Sequence, residues 1–300
     1  METSWEAVHL GLHSFQGADG NSVERLAGAR PRSSVLGVGS APRSAWPRLL
    51  DLIGTGRGLG PFTAPIGLDA SGRTVWHDLH SPTARHLIVS GADADRFEAL
   101  RSVAAALALT TRPALLQTLA IDTTGRELLF LSSLPHTVLE TAIDPAGARL
   151  SLSWLGEELN ARRQDGRSWP SILLVVDDLT TLQTRRGPGT GRAVDHILRH
   201  GGSLGVHLLA GTSRVRRLGL RTGLRRCDLA RLTAAGQPGV FDYRRGKTRV
   251  RLTGARLSAW DLDLVIRGRA TMPAISEGRR EDPHSSSLGN LPRQFERGAP

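Results

Sequence analysis

The densest chemistry in the chain is cationic. The stretch SRVRRLGLRTGLRRCDLARL (213–232) carries Arg214, Arg216, Arg217, Arg221, Arg225, Arg226 and Arg231, opposed by Asp228 alone. Such density is the electrostatic footprint of a surface that meets phosphate backbones, and binding through it would depend on salt and ignore base sequence. No aromatic residue lies in the run, so a stacking platform for single strands has no support. Three readings stay open: duplex DNA, an acidic partner protein, or a solvated arginine face. His77, His80 and His86 have a spacing that could serve a metal, yet His86 opens an aliphatic run and all three read as structural. Cys227 is the only cysteine, which excludes an internal disulfide and a cysteine-based zinc site. Lys247 is the only lysine, so any chemistry that needs an ammonium has one candidate. No local pattern of serine, histidine and acid builds a nucleophilic triad.

The elements that must position these groups are legible as four aliphatic runs: HLIVSG (86–91), LLQTLAID (115–122), SILLVVDD (171–178) and VHLLAGT (206–212). Nearly continuous aliphatic strands separated by helix-length segments imply a parallel sheet covered on both faces. The strands end in Gly91, Asp122, Asp177-Asp178 and Thr212, and ligands of such sheets gather beyond the carboxyl ends of the strands. Leu100, Val103 and Leu107 share one helical face after the first run. Asp144-Pro145 reads as an N-cap followed by Pro at the first helical position, in a helix with Leu152, Leu155 and Leu159 on one face and Arg162-Arg163 at its end. FDYRRGKTRVRLTG (241–254) reads as a hairpin around Arg245-Gly246. Residues 1–58 and 269–300, poor in apolar clusters and rich in Gly, Ser, Pro and Arg, read as flexible basic tails around a domain at 59–268, with a helical turn or two at WPRLLDLI (46–53). A net charge of +11 points to an anionic partner. The apolar run VAAALAL (103–109) is far short of a membrane span, and METSWEAVHL lacks the basic start of a secretory signal, so a cytoplasmic protein is expected.

The order of these pieces resembles a known family. IGLDASGRTVWHDLHSPTARHLIVSG, a helix, IDTTGRELLFLSSLPH, a helix with SWLGEELNARR, ILLVVDD, LGVHLLAGTSR and GQPGVFDYRRGKTRVRLTGARLS follow one another across residues 65–266. Together they resemble the motor domain of FtsK/SpoIIIE-type DNA translocases, in the HerA/FtsK group of RecA-like P-loop ATPases. The resemblance implies an α/β fold of the RecA-like kind, mainly parallel with helices on both faces. It also implies a ring, usually of six subunits, that hydrolyses ATP between neighbours and pulls double-stranded DNA through its centre.

Laid on that family's motifs, the residues depart at several points. The first strand of the family leads into GxxxxGK[ST], whose backbone N–H groups cradle phosphates while the lysine reaches the outer phosphates and the hydroxyl holds magnesium. Here Gly91 matches, whereas Arg96 stands at the second glycine, Phe97 at the lysine and Glu98 at the hydroxyl; Asp93, Asp95 and Glu98 put three carboxylates where a polyphosphate would lie. Asp177 matches the magnesium-holding acid of the second motif, and Asp178 stands where the family has the longer Glu that polarises water. Thr212 and Arg214 match a nucleotide-sensing segment in which Ser213 replaces a glutamine, and the arginine that reaches a neighbouring subunit's ATP falls on Gly202, with Arg199 nearby. The expectation is a motor-fold protein without ATP turnover, with no cofactor (ATP and magnesium only if the altered loop still works). It would act as a DNA-binding or accessory subunit beside an intact motor subunit or in a ring of its own copies. Two alternatives stand: an active ATP-dependent DNA translocase with an altered loop, and a type VII secretion-like module whose cleft accepts a peptide.

Overall fold

The structure, a computed structural model, describes residues 46–56, 60–125, 127–185, 188–213 and 229–267. The tail expected at 269–300, most of that expected at 1–58, and the arginine run from Arg214 to Cys227 lie outside the described residues. In chain order the elements are α1 (Leu49–Thr55), β1 (Thr63–Asp69), β2 (Thr74–Asp78), β3 (His86–Ser90), α2 (Asp93–Thr110) and β4 (Leu116–Ile121). There follow α3 (Pro145–Asp165), β5 (Ser171–Val176), α4 (Leu179–Arg185), α5 (Pro188–His200), β6 (Val206–Thr212), β7 (Leu229–Ala234), β8 (Val240–Arg245), β9 (Thr248–Gly254) and α6 (Ala259–Ile266).

The strands form one sheet in the order β2-β1-β9-β8-β7-β3-β6-β5-β4. From β7 to β4 the pairs are parallel, and they contain all four aliphatic runs. From β7 to β2 they are antiparallel, and the β8–β9 ladder from Val240↔Thr253 to Arg245↔Thr248 is the hairpin legible in the sequence. The nine-stranded sheet is therefore a parallel half extended by an antiparallel half.

Alternation along the parallel strands divides the core in two. Leu87 and Val89, with Leu173 and Val175, join the cluster under α2, which also takes in Leu49, Leu52 and Ile53 of α1. Ile88, with Ile172, Leu174 and Val176, joins the cluster that contains Leu152, Leu155 and Leu159 of α3 and Val194, Ile197 and Leu198 of α5. Period-two side chains from one strand thus supply both layers, which is why these strands read as unbroken aliphatic runs. Asp144 caps α3 by accepting from the Gly147 N–H at 2.7 Å, and Ser258 with Asp261 forms a capping box at α6. No helix among the described residues is long and apolar enough to cross a membrane.

The strand ends opposite Gly91 are rich in buried imidazoles. His77 lies within hydrogen-bond distance of the Tyr243 hydroxyl (3.0 Å), and His86 Nδ1 accepts from the Leu208 N–H at 3.0 Å. Burial pushes His77 and His86 down to about 3 and His207 to about 4. Between those values and the unfolded value near 6.5, the unfolded chain binds protons that the native chain refuses, so native stability rises with pH in that window and is lost as acid is added. Each such histidine contributes about 1.4 kcal/mol per pH unit while it is neutral folded and charged unfolded. Urea unfolding of the protein followed from about pH 7 to pH 4.5 should therefore show a steep fall in midpoint. A flat profile would mean that these rings are hydrated.

Candidate functional site at the ends of the parallel strands

The loop after β3 is short because the helix starts early. β3 ends at Ser90, Gly91 and Ala92 make the turn, and α2 is already helical at Asp93. Gly91 has φ 149°, and a side-chain carbon there would lie 2.5 Å from Ala234 Cβ, so only glycine fits the turn. The first helical bond runs from the Arg96 N–H to the Ala92 carbonyl at 2.9 Å. Asp93 and Asp95 then sit in the first turn, where carboxylates complement the positive end of the helix dipole. A helix N-terminus is commonly an anion site, and here the chain's own acids stand at it.

Arg96 is the centre of the arrangement. Its side chain is 2% exposed, and its guanidinium pairs with Asp93 Oδ1 at 3.0 Å and faces Asp178 Oδ2 at 3.7 Å. The Phe97 ring lies under it, with the guanidinium carbon 4.6 Å from the ring centroid. Space for the arginine stem comes from Gly211 on β6: a side-chain carbon at 211 would collide with the Asp177 carbonyl and come within 2.9 Å of Arg96 Cδ. That glycine inside an aliphatic strand is a residue the sequence reading passed over, although a strand glycine is a known sign of close approach.

Each of the other candidate residues has its own partner. Glu98 turns to the far side of α2, accepting from the Leu257 N–H at 2.8 Å and from Arg101 at 2.7 Å, and Arg101 continues to Glu127 at 3.3 Å. Asp95 accepts from the Gly239 N–H at 3.2 Å in the turn before β8. Asp178 caps the start of α4 by accepting from the Thr180 N–H at 2.8 Å, and Thr180 Oγ1 meets the buried Thr212 Oγ1 at 2.9 Å. Asp177 is wholly buried and accepts from Thr123 Oγ1 (2.7 Å), the Thr124 N–H (3.0 Å) and the Asp178 N–H (2.7 Å). Burial holds the Asp177 carboxyl above the usual carboxylate range, against hydrogen bonds from Thr123 that pull it down.

The segment after β4 is organised by Asp122, which the sequence marked only as a strand end. Its two oxygens accept from the N–H groups of Thr124, Gly125, Glu127 and Leu128 and from Thr124 Oγ1. This holds Thr123 and Thr124 over Asp177. Lys247 lies in the β8–β9 turn, whose Gly246 sits near Thr83 at the amino-terminal side of β3, so the length of the sheet separates the one lysine from Gly91. The remaining candidate basic residues, Arg214, Arg216, Arg217, Arg221, Arg225 and Arg226, fall outside the described residues. Among the described residues no group of three or more His, Cys, Asp or Glu is placed to hold a metal ion.

Removing one member of a buried ion pair leaves the other charge without compensation. Arg96→Met, close in volume, should lower unfolding free energy by about 3 kcal/mol in a urea titration near pH 7. An unchanged midpoint would show that the pair contributes nothing.

The model of the FtsK/SpoIIIE family matches residues 55–168, a span that includes the loop after β3. The chain is 26% identical over 176 residues to the DNA translocase SftA of Bacillus subtilis (strain 168), across 51% of its own length and 18% of SftA. It is 26% identical over 174 residues to the DNA translocase FtsK of Leptospira interrogans, across 50% of its own length and 18% of that protein. It thus spans under a fifth of these curated relatives (18% of each). Among solved structures, the cytoplasmic domain of the Thermomonospora curvata type VII secretion ATPase EccC has a TM-score of 0.63 and 22% identity, over 83% of this chain and 36% of that one. The fold is accordingly that of RecA-like P-loop ATPases, and residues 55–168 are similar to the FtsK/SpoIIIE family.

Proposed function

We propose that this chain is a motor-fold subunit that does not bind or hydrolyse magnesium–ATP and that works as a DNA-binding or accessory partner of a translocation or transfer machine. The observation that carries the reading is the buried Arg96 guanidinium, held between Asp93 and Asp178 at the end of the parallel sheet. Magnesium–triphosphate does not fit these residues. The loop amides from Arg96 onward are committed to the helix, Phe97 brings no charge where an ammonium is needed, and Glu98 brings a carboxylate where a hydroxyl would hold magnesium. Like charges at about 4 Å repel by roughly 1 kcal/mol in water and several times more in a cleft. The acids Asp177 and Asp178 have taken structural work, one holding the Thr123–Thr124 segment and the other capping α4 and facing Arg96.

The partner side of the proposal rests on charge. A net +11, with seven arginines between 213 and 232, suits an anionic partner, double-stranded DNA or an acidic protein, with an intact motor subunit or a ring of like copies supplying the motion. Titration with a fluorescent ATP analogue and magnesium should give no saturable signal; binding at micromolar concentration would return the chain to the active translocases. Duplex DNA should bind independently of sequence and lose about 100-fold in affinity between roughly 50 and 200 mM salt if about four phosphates are neutralised. Replacing Arg216, Arg217, Arg225 and Arg226 together by Ala should remove most of that affinity and salt dependence. No duplex binding at low salt would favour the secretion-like module instead.

A further inference from the structure

The opposite end of the parallel sheet holds a cavity. It has a volume of about 270 Å³ and lies at the amino-terminal ends of β3, β5 and β6, with His80, Arg85, Ser168, Trp169, Ser203 and His207 in its wall. Two of its walls are tied together by Arg162 of α3, whose side chain is 1% exposed. Its guanidinium donates to the carbonyls of Ser168 (3.3 Å), Pro170 (2.6 Å) and Leu204 (2.8 Å) and pairs with Glu158 at 2.7 Å. The third wall is aromatic: His80 stacks on Phe62 with centroids 4.0 Å apart, and Trp169 meets both rings edge-on at 5.4 Å. Phe62 itself has φ 69°, the one non-glycine residue with positive φ among the described residues, a strained conformation that packing must hold.

Two polar groups in this wall are incomplete. His207 is 1% exposed, and its Nδ1 lies 2.9 Å from the Arg85 carbonyl. A carbonyl only accepts, so Nδ1 carries the proton and Nε2 is left as a bare acceptor. That Nε2 is buried and has no hydrogen-bond partner. A buried acceptor without a donor is costly and calls for an explanation. Arg85 packs its stem against Gly202, where a side-chain carbon would lie 2.6 Å from Arg85 Cδ, and its guanidinium has no acceptor among the described residues. The wall therefore holds one buried acceptor that lacks a hydrogen and one cation that lacks an anion among the described residues.

Few small groups answer both needs. A carboxylate or a sulfate would satisfy the arginine, but near neutral pH neither brings a hydrogen for Nε2. A phosphate that keeps one proton brings both, and phosphomonoesters, with a second pKa near ~6, keep a sizeable share of it near neutrality. At about 30 Å³ per water, the cavity has room for such a group with part of its hydration. We propose that this cavity is a site for a protonated phosphate group, with Arg85 gripping its anionic oxygens and His207 Nε2 accepting the hydrogen of its remaining hydroxyl. The site stands at the far end of the strands from the altered loop and is independent of what that loop binds.

The test is calorimetric titration of the full chain at about pH 6.5 with inorganic phosphate and, at matched ionic strength, with sulfate. Phosphate should bind at least about tenfold more tightly than sulfate, the ratio that one buried hydrogen bond supplies. Arg85→Gln, at a half-buried position, should weaken phosphate at least about tenfold while leaving the unfolding midpoint unchanged. His207→Gln should erase the preference for phosphate over sulfate. Equal affinity for the two anions, no saturation by phosphate, or full phosphate affinity in the folded Arg85→Gln variant would each overturn the proposal, whether or not the His207 variant folds. Competition against bound phosphate by a 5′-phosphorylated duplex, by a phosphoserine peptide, or by neither, each with its unphosphorylated counterpart as reference, assigns the source to nucleic acid, protein or the free ion.

Discussion

The guanidinium of Arg96 is where the first helix after the loop, the fifth strand and the sixth strand meet. It reaches Asp178 only because Gly211 has no side chain, and its central carbon lies over the Phe97 ring while Asp93 pairs with it from the solvent side. A charge this deep requires compensation, and the compensating carboxylates come from the start of α2 and the end of β5. The early start of α2 follows from the same set of residues. With acids at its first and third positions and Arg96 folded back toward the Gly91 carbonyl at 3.5 Å, the segment gains more as helix than as an open loop.

Around that pair the acids of the sheet end divide their work by geometry. Asp122 gathers the amides of the segment that follows it, that segment lays Thr123 and Thr124 over Asp177, and Asp178 turns outward to cap α4. The opposite end is built differently. There a satisfied buried cation, Arg162, secures the loops, while His207 Nε2 has no partner and Arg85 has no acceptor among the described residues. The loop end also keeps an unmet buried donor, Arg96 Nε, so each end of the sheet holds a buried polar atom without a partner.

Much of the architecture was legible from residue order. The four aliphatic runs are the parallel strands β3 to β6, the Asp144-Pro145 signal is the start of α3, and FDYRRGKTRVRLTG is the β8–β9 hairpin. β2 and β7 carried weaker signals because they are part-buried strands in which polar and apolar residues mix, and β1 because Pro65 and Gly67 interrupt it. At the loop, the replaced residue types were plain, but their partners were not. Glu98 finds Leu257 and Asp95 finds Gly239, each more than a hundred positions away along the chain, and no local pattern announces such a pairing.

Residue identity alone determined that position 97 carries no ammonium, that Lys247 is the only lysine, and that the strands would be buried on both faces, because side-chain chemistry and period-two patterning are local properties. Tertiary structure decided where the charges end. Arg96 was one cation among 39 basic residues until the fold buried it against Asp178, and His207 was one imidazole among 10 until the Arg85 carbonyl fixed its proton and left Nε2 bare. Burial and distance set the cost of a charge or an unmet hydrogen bond, and both exist only once separate parts of the chain have been brought together.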